Sequence, residues 1–315
     1  MTKTKHEKVT ILKILCLDGG GIRGVFEVAI LQALEEEYNQ PITNLFDLVA
    51  GTSTGSIIAT SVILEKRMSD VLDSYKQFGK KVFKRQAKIG IFKSVYSDKD
   101  LRQYFKGMFG DLTLSDIAKP LLIPAVDVTH GKPYVYRSNY GHPGSDDLSI
   151  KLWDAVLSSC SAPVYFPPNN IKNKYLSVDG GLWANNPSLV CITEALDYFK
   201  LNVGDLKILS LGTGLQDIEY NIEPDKYWGI KKWLPFRLMT MKVQPKLLDL
   251  ALDLSSESIS YHCQILLGNQ YFRLNRDLGD EIPFDDVTFV DELIALGKHV
   301  FEEKKGEIKK FLDLE

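Results

Sequence analysis

Short uninterrupted apolar runs alternate along this chain with longer stretches whose apolar positions recur at helical spacing. A strand buried on both faces reads as a continuous apolar run, so the alternation predicts a largely parallel sheet flanked by helices. Strands are predicted at residues 11–17, 46–50, 121–128, 175–178 and 206–211, and helices at 25–38, 55–64 and 188–200. The last helix is announced by Asn186-Pro187, an N-cap residue followed by proline at the first helical position. His130-Gly131, between 126–128 and 134–137, reads as a hairpin turn and predicts one antiparallel pair. The expected fold is a three-layer α/β/α arrangement around a central, mostly parallel sheet. No repeat, low-complexity stretch or Pro/Gly/Ser-rich linker divides the 315 residues, so one domain is expected.

Composition narrows the function classes. A formal charge of −3 argues against a nucleic-acid polymer as partner, which calls for a basic excess. No apolar run approaches the roughly 18 residues of a membrane span, and residues 1–7 lack the apolar core of a signal peptide. Cys16, Cys160, Cys191 and Cys263 are scattered, three of them in apolar contexts, which reads as a reducing, cytoplasmic compartment. Neither a calcium-loop spacing nor a His/Cys cluster is present, so no metal and no cofactor is expected.

Two glycine-rich stretches carry the chemistry. Gly51-Thr52-Ser53-Thr54-Gly55 follows a strand-like run and precedes a helix-like one, the setting of a nucleophile elbow. The flanking glycines allow a turn so sharp that side chains there would clash, and the helix N-terminus favours negative charge at the serine. Upstream, Asp18-Gly19-Gly20-Gly21-Ile22-Arg23-Gly24 supplies bare backbone amides that could face a developing oxyanion. A nucleophile with an anion cradle reads as acyl transfer. Gly19-x-Gly21-x-x-Gly24 also fits the dinucleotide fingerprint. Against that stand Asp18 beside the first glycine, Arg23 in the turn, and a following strand that ends in the elbow and not in a ribose-binding acid. Ser53 needs a base. His6, His130, His142, His262 and His299 all lack a catalytic-looking context, although the order Ser53–Asp179–His262 permits an α/β-hydrolase triad as an alternative. Asp179 ends a strand-like run and precedes Gly180-Gly181, which let another segment approach closely. A nucleotide-binding or storage protein with a vestigial elbow is the non-enzymatic alternative. The acidic stretch 277–286, with Pro283, reads as a solvated loop.

Taken in order, the Asp18–Gly24 stretch, the Gly51–Gly55 elbow and Asp179-Gly180-Gly181 resemble the patatin-like phospholipases of the bacterial, single-domain type. Residues 161–168, Asn185-Asn186-Pro187 and 209–214 resemble the stretches around that family's motifs. The likeness covers a core at 10–215, with 216–315 expected to continue the same domain as a lid or interface segment and a closing helix. The resemblance implies a Ser–Asp dyad without histidine: Ser53 as nucleophile and Asp179 as base. It also implies an oxyanion hole from the amides of Gly20 and Gly21, with Gly19 and Arg23 shaping the loop and Asp18 serving the loop's own hydrogen bonding. The implied activity is phospholipase A-type cleavage of membrane glycerophospholipid esters through an acyl-serine intermediate. Some bacterial members are defence effectors that stay silent until a cyclic nucleotide binds, and an unassigned C-terminal third is compatible with that. Residues 80–93 and 227–236 interleave bases with apolar side chains, as expected of peripheral contact with an anionic membrane.

Overall fold

In the computed structural model the predicted strands are present, with one or both ends shifted by one or two residues in β1 (Leu12–Leu17), β2 (Leu48–Gly51), β3 (Leu121–Asp127), β4 (Lys132–Arg137) and β6 (Tyr175–Asp179), and with β7 (Leu206–Leu211) at its predicted bounds. The description covers residues 11–82, 94–142, 146–216, 236–237, 242–243, 246–279 and 282–314. To these strands are added β5 (Asn169–Ile171) and β10 (Tyr271–Leu274), both sheet edges, and a separate two-residue pair, β8 (Phe236–Arg237) with β9 (Lys242–Val243). The main sheet runs β10-β7-β1-β2-β3-β6-β5, with β4 also on β3. The pairs from β10 to β3 are parallel, whereas β3–β4, β3–β6 and β5–β6 are antiparallel. Three antiparallel pairings replace the single one expected, because β6 runs back against β3 instead of following a crossover helix.

That reversal positions the chemistry. β4 occupies one edge of β3 along Leu122–Asp127. The other edge is shared end to end: β2 pairs at Leu121 and Leu122, and β6 pairs from Ala125 to Asp127. The carboxyl end of β2, where the elbow begins, therefore abuts the carboxyl end of β6, where Asp179 sits opposite Ala125.

Alternate residues of the strands feed two cores, as the two-residue period of a strand requires. Leu15, Leu17, Val49, Ile123, Leu209 and Leu211 face one layer, in which α1 (Gly24–Tyr38) is buried from Gly24 to Leu31 and covered by α9 (Val290–Leu312). The elbow helix α2 (Thr54–Ile63), α3 (Met68–Val82), α4 (Asp98–Phe109) and α5 (Leu152–Ser159) join this layer. Ile14, Cys16, Leu48, Ala50 and Ile208 face the other, built from α6 (Gly181–Ala184), α7 (Ser188–Asp197) and α8 (Lys246–Leu267). Helix α7 starts one position later than Asn186-Pro187 predicts: Pro187, not Asn186, is the cap residue, and Asn186 Oδ1 accepts the Ser188 N–H at 2.9 Å. All four cysteines are buried and free, and no described helix is long and apolar enough to cross a membrane.

Candidate active site

The elbow is held in a conformation that ordinary residues avoid. Ser53 has φ 51° and ψ −122°, and α2 begins at the next residue. Side chains at Gly51 and Gly55 would collide with backbone, the first with Gly55 itself and the second with the Leu17 and Asp18 carbonyls. The strained serine is tied down by its neighbours. Its N–H donates to Ser159 Oγ at 2.9 Å, and that hydroxyl donates to Pro124 O at 2.6 Å. Its carbonyl accepts from Ser56 Oγ at 2.6 Å and from the Ser56 amide at 2.9 Å.

Asp179 lines the same cleft as Ser53, close enough for the serine side chain to influence its carboxylate, and is 3% exposed. Its Oδ1 accepts the Gly181 N–H at 2.8 Å. Burial pushes its pKa up to about 6, opposed by the nearby Ser53 side chain and by the Gly181 N–H. Gly180 permits this approach, since a side chain there would strike the Pro124 carbonyl on β3.

The glycine loop passes beside both residues. Its peptide planes are set from their carbonyl sides. Gly19 O accepts from Asn185 Nδ2 at 3.2 Å and Thr213 Oγ1 at 3.1 Å, and Gly20 O accepts from Arg23 N and Nε at 3.2 and 3.4 Å. In a planar trans peptide the N–H points opposite the C=O. Fixing these two carbonyls therefore aims the amides of Gly20 and Gly21 the other way. Neither amide has a partner among the described residues, whereas the Gly19 N–H is already used by Asn185 O. Gly21 needs its φ of +60° for this path, and the Phe284 ring lies where a side chain would go. Gly20, Gly21, Arg23, Ser53 and Asp179 all line one cleft, closed in by Leu248 and Leu252 of α8 and by Phe284.

A second, apolar cavity of about 620 Å³, open mouth included, starts at Ser53 and Gly21 and runs between Ile57, Val82, Leu101, Phe105 and Phe166. Its composition suits a hydrocarbon chain and gives a charged group nothing to pair with.

Three sequence readings are corrected. His262 is not part of this cluster: it lies on the exposed face of α8, with Nδ1 2.6 Å from Ser258 O, so no Ser53–Asp179–His262 triad is assembled. Asp18 does not serve the loop's own hydrogen bonds through its carboxylate. That group is clamped by Arg273 Nη1 and Nη2 at 2.8 and 2.6 Å and by Ser256 Oγ at 2.5 Å. The acidic stretch 277–286 is not a solvated loop where it is described. Ile282 is buried, Phe284 O accepts the Ile22 N–H at 2.8 Å, and Asp285 accepts from the Tyr96 hydroxyl. Sequence reasoning also passed over Asn185, Thr213 and Ser159 as parts of the site. The signal for Asn185 and Thr213 was their place in Asn185-Asn186-Pro187 and 209–214, stretches that resemble the surroundings of the family's motifs; Ser159 had none. Of the two basic–apolar stretches, residues 83–93 and 227–235 lie outside the described residues. Among the described residues no cluster of His, Cys, Asp and Glu could hold a metal ion.

A serine on an elbow, a buried carboxylate and unpartnered loop amides form the arrangement of a serine-dependent ester hydrolase. The model of the patatin-like phospholipase family matches residues 15–192. The chain is 30% identical to a cGAMP-activated phospholipase of Escherichia coli (strain TW11681), over 73% of this chain and 72% of that one. It is 26% identical to a cUMP-AMP-activated phospholipase of Escherichia coli, over 98% of this chain and 96% of the relative. It is also 28% identical to the 85/88 kDa calcium-independent phospholipase A2 of Mus musculus, matching all of this chain but 42% of that longer protein. The chain belongs to the patatin-like phospholipase family, and it is a lipid hydrolase.

Proposed function

We propose that the protein is a phospholipase A-type acyl hydrolase in which Ser53 is the nucleophile and Asp179 its base. The observation that carries this is the buried Asp179 carboxylate sharing a cleft with a serine that opens onto an apolar cavity. Ser53 Oγ attacks the ester carbonyl carbon while Asp179 takes its proton, and the oxyanion forms against the Gly20 and Gly21 amides. Collapse breaks the ester C–O bond, and the leaving lysophospholipid oxygen takes the proton back from Asp179. Water, deprotonated by Asp179, then attacks the acyl-serine, releasing the fatty acid and restoring Ser53. A base of pKa about 6 is mostly ionised at neutral pH, yet basic enough to take the proton. The apolar cavity holds the acyl chain.

The names of the bacterial relatives support a cyclic nucleotide as activator, and a lipid hydrolase switched on by such a signal would suit a role in antiviral defence. A cleft narrowed by Leu248, Leu252 and Phe284 suits an enzyme that rests until signalled. A cytoplasmic enzyme acting on bilayer lipids makes peripheral membrane contact to reach them. The test is lipid analysis of phospholipid vesicles incubated with the protein, with and without cGAMP or cUMP-AMP, beside Ser53→Ala. Lysophospholipid and free fatty acid are expected to rise with the activator and to vanish with Ser53→Ala; release that persists in Ser53→Ala refutes the reading.

A further inference from the structure

Behind the glycine loop lies a buried ionic cluster that the dyad does not use. Asp18, the residue before Gly19, is 2% exposed, and both its carboxylate oxygens face Arg273, which lies 255 residues away on β10. The Arg273 side chain is 12% exposed. Its Nη1 also donates to Ser210 Oγ on β7 at 2.8 Å and its Nη2 to Ser256 Oγ on α8 at 3.0 Å. On the main-chain side, the Asp18 N–H bonds the buried Glu27 Oε1 at 2.8 Å and Leu211 O at 3.2 Å. Asp18 is thus held at both ends, and the peptide that follows it is the first of the glycine loop.

Such a pair is a poor device for stability alone. Desolvating a guanidinium and a carboxylate costs several kcal/mol per ion, and apolar residues of similar volume stabilise as well or better. A bidentate fork instead supplies direction, fixing the plane of the carboxylate and hence the χ angles of the residue that carries it. We propose that Arg273 is a positioning residue of the acyl-transfer site: through Asp18 it sets the register of the glycine loop and so the aim of the Gly20 and Gly21 amides. Arg273 and Ser256 both lie beyond residue 192, where the family model ends. The C-terminal third therefore completes the anion cradle that the N-terminal motif begins. The proposal rests on the reading of Ser53 as the nucleophile.

The experiment compares Arg273→Lys, Arg273→Gln, Asp18→Asn, Asp18→Asn with Arg273→Gln, and the apolar swap Asp18→Leu with Arg273→Met. Each is assayed for kcat and KM on a soluble ester and for Tm, beside Ser53→Ala. Misaiming a reacting group by an ångström costs about 10²-fold. Each folded variant is therefore expected to lose roughly 10- to 100-fold in kcat with KM within about twofold, and the Asn/Gln double variant should be no worse than either single one. The apolar swap is expected to recover Tm without recovering kcat. Recovery of kcat along with Tm, or a folded Arg273→Lys within about threefold of the parent kcat, overturns the proposal. Loss of Ser53 dependence would instead overturn the reading it rests on.

Discussion

Two buried aspartates stand on either side of the glycine loop, and their surroundings differ in one respect. Asp18 faces a guanidinium that grips both its oxygens; Asp179 has a serine hydroxyl and a backbone amide, and no cation among the groups that shift it. Both are almost fully enclosed. A carboxylate held by arginine is a strut, whereas one left without a cation keeps an affinity for protons, which is what a base requires. The difference lies in what reaches each residue from distant strands and helices, not in the aspartates themselves.

The largest effect expected from breaking this comparison is at the dyad. Ser53→Ala or Asp179→Ala should each lower kcat by about 10⁴-fold or more, and the double variant should be hardly worse, because the two act as a unit. Multiplicative losses on a soluble ester would separate them. Next comes the loop. A Gly20→Ala methyl would collide with the Thr213 side chain that holds the Gly19 carbonyl. The expected loss is about 10²- to 10³-fold in kcat, the scale of one oxyanion donor, and a rise in KM alone would contradict it.

Stability should move in opposite directions at the two aspartates. Asp18→Asn leaves Arg273 buried without its counter-charge and is expected to cost about 3–5 kcal/mol in denaturant unfolding. The folded-state pKa of Asp179 lies above that of the unfolded chain, so the native state holds an extra proton between about pH 4 and 6. This group's contribution to stability therefore falls as pH rises through that window, and its full cost, about 3 kcal/mol, applies above it. Asp179→Asn keeps an acceptor for Gly181 and removes the charge, so it should be more stable than the parent at pH 7.5 and indistinguishable below pH 4. Equal or lower stability at pH 7.5 would mean that Asp179 is not an unpaired buried charge.

The contrast also separates what could be read from residues in order from what could not. The elbow, the glycine loop and Asp179-Gly180-Gly181 are local devices whose glycines are dictated by contacts within a few residues or with the adjacent strand, so their spacing carries the signal. β7, apolar except for Lys207 and Ser210, matches its predicted bounds to the residue. Arg273 lies in Tyr271-Phe272-Arg273-Leu274, a four-residue edge strand whose polar member looks like surface until β7 and α8 close over it. The same holds for Asn185 and Thr213, which meet Gly19 from 166 and 194 residues away. Phe284 lies in an acidic, proline-containing stretch whose composition suggests water, yet its ring packs edge-on against Tyr165 and over Gly21. Long-range pairing of polar groups leaves no periodicity behind, and those are the contacts that tune the site.

The central claim, that Asp179 alone serves as base, is tested most directly by the pH dependence of kcat/KM on a soluble ester, for the parent and for His262→Ala. The expected profile rises tenfold per pH unit on the acid side and levels off above a midpoint of about 6, with the same midpoint and plateau in His262→Ala. A flat profile between pH 5 and 8, or an acid limb that disappears with His262, would contradict it.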